Sequence, residues 1–259
     1  MVGAPETPLD LRFRALGIPV RVHPFFWLVA AMMGWRDQNL PIVALWVGCV
    51  FLSILVHEYG HGLMARRFRE SPSILLWGMG GLCYSQGERQ TPLERLLVIL
   101  AGPGAGFVLA FLVMVVATVF AGVTPDEHLG VIASQLGLGH GPASVLDKLD
   151  SPMKFGAYYF LMRINILWGL VNLLPIWPLD GGQGAQIVLT QLDHARGRRW
   201  VHIISLMVSG MLAVVAALWA DQLFLAVFFG VFAFMNYQML QTLHQEQLFG
   251  IERDDWWRG

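Results

Sequence analysis

Charge is scarce in this sequence. Asp, Glu, Lys and Arg make up 14% of its 259 residues, against about 25% in ordinary soluble domains, which excludes a soluble globule and a solvated disordered chain alike. Seventeen basic residues against eighteen acidic ones leave a net charge of −1, so there is no basic footprint for nucleic acid. Cysteine is scarcer still. Cys49 lies in an apolar run and Cys83 in a loop, which excludes a disulfide framework or a thiolate metal site and leaves packing as their role. What is abundant is apolar surface: 56% hydrophobic residues, 12% aromatics with ten Trp, and a mean hydropathy of +0.56. Such a chain belongs in a lipid bilayer.

A bilayer core about 30 Å thick takes roughly 20 helical residues to cross. Stretches of that kind run from Leu40 to Met64, Leu96 to Val123, Phe155 to Ile176 (interrupted by Arg163), Trp200 to Ala220 and Gln222 to Leu243. A sixth, shorter apolar stretch lies between Arg21 and Arg36. The expected fold is an all-α polytopic membrane protein with about six transmembrane helices and a small membrane-associated β-hairpin. The expected domain plan is a single integral-membrane domain over 1–259, with an N-terminal segment at 1–22, a six-span core at 23–245 and a short tail at 246–259. Residues 128–146, rich in Gly, Ser and His, read as an exposed loop near the interface.

Orientation follows from Lys and Arg. With six spans, Arg12, Arg14, Arg21, Arg66, Arg67, Arg69, Arg89, Arg95, Arg196, Arg198, Arg199, Arg253 and Arg258 fall on one side, and Arg36, Lys148 and Lys154 on the other. Both termini are therefore expected in the cytoplasm. The first 22 residues hold no apolar core and read as no signal peptide. Within them, LRFRALGIPVRV alternates as a strand-forming segment does.

The chemistry is concentrated in ILVHEYGHGLMARRF. His57 and His61, four residues apart, share one face of a helix, so both imidazoles can reach one Zn²⁺. Glu58 is placed to take a proton from a water on that metal, whose pKa zinc brings toward about 7. A chance HExxH on an amphipathic helix is the plainer alternative, but an ionisable cluster in an uncharged apolar run is costly unless paired or metal-bound.

A catalytic zinc takes three protein ligands and keeps a fourth position open. Few acids adjoin the spans: Glu58 itself, Asp180, and Asp221 in a turn on the opposite side. Asp180, in VNLLPIWPLDGGQ, is the best third donor, because Pro175 and Pro178 break helical geometry and project it from unwound backbone. The alternative is a helix-ending Pro/Gly turn.

HEYGH within one span and NLLPIWPLDGG at the end of another resemble the HExxH and NxxPxxPLDG motifs of the site-2 protease family of intramembrane zinc metalloproteases. The likeness extends from about Arg21 to Leu243. It implies His57, His61 and Asp180 as the ligands of one zinc ion per chain, Glu58 as catalytic base, and Asn172 at the catalytic centre. The family's Gly-Pro-x-x-Asn motif corresponds to Gly102-Pro103-Gly104-Ala105-Gly106, with Gly106 where Asn is usual. This departure leaves close helix packing as the role of that segment. By the same resemblance the substrate is a single-span membrane protein or a remnant signal peptide, cleaved in or near its transmembrane segment in regulated intramembrane proteolysis, and the location is a prokaryotic cell membrane.

SPSILLWGMGGLCYSQ, at 71–86, reads as a hairpin whose edge could receive an extended substrate. His23, His202 and His244 lie near span ends and read as interfacial rather than as ligands. Trp256 and Trp257 read as headgroup anchors. Two other functions share these motifs: a membrane protein that carries zinc without hydrolysis, and an inactive membrane-embedded binding protein. Glu58 speaks against the first, and the intact motifs against the second.

Overall fold

A computed structural model describes residues 5–35, 39–78, 80–87, 91–139, 141, 143–194, 196–218 and 223–248. The expected turn at Asp221 and the tail with Trp256 and Trp257 lie outside these residues. The chain forms two compact units, one of residues 1–88 and 100–170, the other of 89–99 and 171–259.

In the first unit, β1 (Leu11–Ala15) and β2 (Ile18–Val22) form the strand pair expected of LRFRALGIPVRV, turning at Leu16 and Gly17, both with positive φ. β3 (Ser71–Trp77) and β4 (Gly80–Gln86) form the expected hairpin. The two pairs join through a parallel β2–β3 contact, Val20 opposite Ile74, into one four-stranded sheet ordered β1-β2-β3-β4. The β element is thus larger than a hairpin. Ile18, Val20, Val22, Ile74 and Leu76 turn inward from it and pack with Phe26, Val50 and Ile54.

α1 (Pro24–Gly34) is capped by His23, whose ring accepts from the Phe25 amide, and runs for only 11 residues. α2 (Leu40–Arg67) spans 28 residues, about 42 Å at 1.5 Å per residue. Asn39 caps its start, accepting from the Ile42 amide, and Arg66 and Arg67 occupy its last turn, where cations complement the helix dipole. The β1–β2 turn is tied to α2 by two side chains: Tyr59 donates its hydroxyl to the Ala15 carbonyl at 3.1 Å, and Arg66 donates to the Leu16 carbonyl. α3 (Pro92–Ala121) is 30 residues long, with Val108, Phe111, Leu112, Val115, Val116, Val119 and Phe120 exposed. In a bilayer such a face meets acyl chains.

Residues 128–146 are not an exposed loop. They belong largely to α4 (Pro125–Gln135) and α5 (Ser144–Leu149). The missed signal is local: Thr124 and Glu127 form a reciprocal capping box with Pro125 in the first turn. His128 is buried, bonded to the Tyr158 hydroxyl at 2.7 Å and to Thr118 at 2.9 Å, and burial pushes its pKa down. Lys148 donates to Glu127 at 2.6 Å and Ser144 donates to the same carboxylate at 2.6 Å. With Lys148 foremost, these partners hold the Glu127 carboxyl at about 2.

The expected span from Phe155 to Ile176 is broken into α6 (Pro152–Arg163), a π-helical turn at Ile164–Trp168 and α7 (Gly169–Asn172). In the second unit α8 (Asp180–Leu192) is followed by α9 (Gly197–Leu218) and α10 (Leu223–Leu248), which pack on each other. Ile176, Leu179, Phe229 and Phe232 form the core there, flanked by Val208 and Leu212.

Among the described residues four helices are long and apolar enough to cross a membrane: Leu40–Arg67, Pro92–Ala121, Gly197–Leu218 and Leu223–Glu246. α1 is shorter than a span, and the 155–176 stretch is helical to Asn172 through a π turn without being among these four, so four of the expected six are found. Cys49 and Cys83 are free thiols packed in the fold.

Candidate metal centre and its supports

His57, Glu58 and His61 lie on the buried stripe of α2 with Val50, Ser53, Ile54, Gly62 and Ala65. The four-residue repeat places the two imidazoles one turn apart, with ring centroids 4.8 Å apart and planes at 80°. Their Nε2 atoms are 3.1 Å apart. Two nitrogens on one tetrahedral zinc, each at about 2.0–2.1 Å, lie roughly 3.3 Å from each other, so the pair fits a shared ion.

Two glycines make room for this turn. A Cβ on Gly102 of α3 would lie 2.2 Å from His61 Nε2, and one on Gly81 of β4 would lie 2.3 Å from Glu58 Oε1. Neither distance is tolerable, so the α3 backbone can pass beside the imidazole and the β4 backbone beside the carboxylate only with hydrogen as the side chain. Of the stretch expected to pack closely, Gly102 does so, whereas a Cβ at Gly104 would meet nothing within 4 Å and one at Gly106 would meet Asn165 at 3.4 Å. Because β4 pairs only with β3 among the described residues, Glu58 stands beside an edge strand.

Gly106 has a neighbour that the sequence did not announce. Asn165, buried in the π-helical turn, lies with its Oδ1 3.4 Å from where a Gly106 Cβ would be. Its amide donates to Ser53 Oγ and to the Leu161 carbonyl, each at 2.9 Å. Ser53 is one turn before His57 on the same stripe. Where an Asn is usual at position 106, an amide from the neighbouring helix occupies the adjoining space.

Asp180 opens α8 and is buried, at the helix end that favours negative charge. The preceding backbone is irregular, as the two prolines require. It turns through Ile176 N to the Leu174 carbonyl at 2.7 Å and Leu179 N to the Ile176 carbonyl at 2.8 Å, with a cis Trp177–Pro178 bond. Asn172 is buried at the end of α7. His202, expected at an interface, is buried instead, its Nδ1 2.8 Å from Asn236 Oδ1. Asn236, fully buried, was missed altogether. A polar residue deep in an apolar span is the signal that flags it. His57 and His61 of the first unit and Asp180 of the second offer two imidazoles and one carboxylate, donors of the kinds that a zinc ion takes.

An HExxH turn within an apolar helix long enough to cross a membrane sets the class: a helical protein with candidate metal ligands on a membrane-length helix. The chain belongs to Peptidase family M50, whose family model matches residues 46–216. It is 31% identical over 185 residues to Rip3 of Mycobacterium tuberculosis, named as a zinc metalloprotease, covering 66% of this chain and 41% of that one. It is 29% identical over 168 residues to Stage IV sporulation protein FB of Bacillus subtilis, covering 64% and 46%. The chain thus spans less than half the length of these curated relatives. The fold is similar to that of a solved site-2 protease from Methanocaldococcus jannaschii, with a TM-score of 0.58 at 19% identity over 89% of this chain and 95% of that one.

Proposed function

We propose that this chain is an intramembrane zinc metalloprotease that hydrolyses peptide bonds in or near the transmembrane segments of membrane proteins, single-span proteins and remnant signal peptides among them, as a step of regulated intramembrane proteolysis. The observation that carries the reading is the buried His57–His61 pair, with Nε2 atoms 3.1 Å apart and Glu58 between them in sequence, in a chain of Peptidase family M50. His57, His61 and Asp180 hold the zinc. When bound, zinc supplies Lewis acidity, lowering the pKa of water and polarising the scissile carbonyl.

Glu58 accepts the proton of the attacking water and returns it to the leaving amine. Asn172 donates its amide to the oxyanion that develops on the carbonyl. The β4 edge receives the substrate as an added strand, because Gly81 brings that strand against the Glu58 carboxylate and an extended peptide has the free carbonyls that a helix lacks. The whole chain acts as one membrane domain of a prokaryotic cell membrane, with both termini cytoplasmic.

The test is zinc content of the purified protein together with cleavage of a panel of single-span substrates in proteoliposomes. About one zinc per chain and cleavage abolished by Glu58→Gln are expected; substantial turnover by Glu58→Gln would assign the base elsewhere. Leu82→Pro, which removes a backbone donor from β4, should impair cleavage and leave zinc content unchanged. Reporter fusions after Glu6 and Arg198 should read cytoplasm, and fusions at Asp126 the opposite face.

A further inference from the structure

The segment between α7 and α8 presents a problem that its own residues do not solve. Pro175 and Pro178 bring no amide hydrogen, and the irregular backbone around them leaves carbonyls outside any helical ladder. In an apolar setting such groups need partners. Two buried side chains, one on α9 and one on α10, supply them, and a third orients one of the two.

Ser205 of α9 accepts from the Trp177 amide at 2.9 Å and lies 3.3 Å from the Pro175 carbonyl, to which its hydroxyl donates. Asn236 of α10 donates to the Trp177 carbonyl at 2.7 Å and to the Phe232 carbonyl at 2.8 Å. Both of its amide hydrogens are then used, and its Oδ1 accepts from His202 Nδ1 at 2.8 Å. The His202 ring also meets the Trp177 indole edge to face, with centroids 5.5 Å apart. Trp177 is thereby held at its amide, its carbonyl and its ring. Three residues later the chain reaches Asp180. Ser205 and Asn236 have no exposed surface and His202 almost none, so water does not compete for these bonds.

We infer that Ser205, His202 and Asn236 are positioning residues that fix the Pro175–Leu179 backbone and, through it, aim the Asp180 carboxylate at the metal. The inference rests on Asp180 being a zinc ligand. His202 orients the Asn236 amide, so its role is one bond more remote than that of Asn236. Groups that orient a metal ligand commonly change metal affinity by tenfold to a hundredfold when removed.

The experiment is zinc affinity of the full-length protein in detergent, measured by competition with a chromophoric chelator. Asn236→Leu, Ser205→Ala and His202→Leu should each weaken zinc binding by about tenfold or more. His202→Asn, which retains a donor at the Nδ1 position, should stay near wild type. The same substitutions on an Asp180→Ala background should change zinc affinity no further, because the residue they aim is gone. Equal losses with and without Asp180 would overturn the inference, as would wild-type affinity in all three variants.

Two controls separate the possible failures. Unchanged zinc binding by Asp180→Ala would overturn the ligand assignment itself. Zinc loss in Asp180→Ala beside wild-type affinity in the clamp variants would overturn only the positioning role. If Asn236→Leu does not fold, Ser205→Ala, the smallest truncation, decides by the same criteria.

Discussion

The turn of α2 that carries His57, Glu58 and His61 is regular helix, and its geometry follows from a four-residue repeat that any helix would impose. The segment that leads to Asp180 has no repeat. Its shape is held by hydrogen bonds from side chains 28 and 59 residues away along the chain. One part of the proposed metal centre is thus encoded locally and the other by distant residues. Damage should differ accordingly: on α2 it is confined to the groups themselves and whatever crowds them, whereas before Asp180 it can arise from residues that never touch metal or substrate.

The largest expected effects break the local half. His57→Ala or His61→Ala should abolish zinc binding, and Asp180→Ala should weaken it, each read as metal per chain after dialysis. Retention of full zinc by the histidine variants would end the comparison, since α2 would then hold no ligands.

Next come the two glycines, which separate metal from base. Gly102→Ala drives a Cβ into the His61 ring and should lower zinc content. Gly81→Ala drives one into the Glu58 carboxylate, so cleavage should fall at least tenfold, about 1.4 kcal/mol of added barrier, while zinc remains. Zinc assay and single-turnover cleavage on the same preparations check both.

A smaller effect is expected from Ser53→Ala, which takes a partner from the buried Asn165 amide. A loss of about 1 kcal/mol, typical of interhelical hydrogen bonds in membranes, should appear in thermal or denaturant unfolding, with zinc stoichiometry intact.

The smallest lies farthest from the metal. The folded Glu127 carboxyl sits at about 2, below its ordinary 4.5. Its partners therefore add stability that is complete above roughly pH 5. That contribution is lost as pH falls through the folded value. Hydrogen exchange at 125–149 should accelerate on acidification, and Glu127→Gln should remove the dependence that this group contributes.

What could be read from the sequence follows the same division. HExxH, four of the five membrane-length apolar runs and both strand pairs are local patterns, and each of these is found where the sequence places it. Asp180 was legible only as the acid after two prolines. The hydrogen bonds that hold its loop were not, because Ser205 and Asn236 show no spacing relative to Trp177 until the chain is folded. His202 was assigned to an interface by its position near a span end; Asn236, lying in the next helix, is what makes its burial tenable. The 128–146 stretch was misjudged for a different reason: its composition outweighed a Thr124–Glu127 capping signal that was present. The break in the 155–176 span had no marker that hydropathy can register.

That break also bears on how this chain can change length. An α-helix advances about 100° per residue, so losing one residue normally turns everything beyond it to a new face. Between Ile164 and Trp168 the backbone is already one residue too wide for its turn. A one-residue deletion there would take up the surplus and leave regular α-helix with the downstream face where it was, the Asn165–Ser53 bond being lost if residue 165 is removed or turned away. Regularity and register are reconciled at this point, and deletion scanning across 160–172 should find 164–168 more tolerant of a lost residue than the α-helix on either side of it.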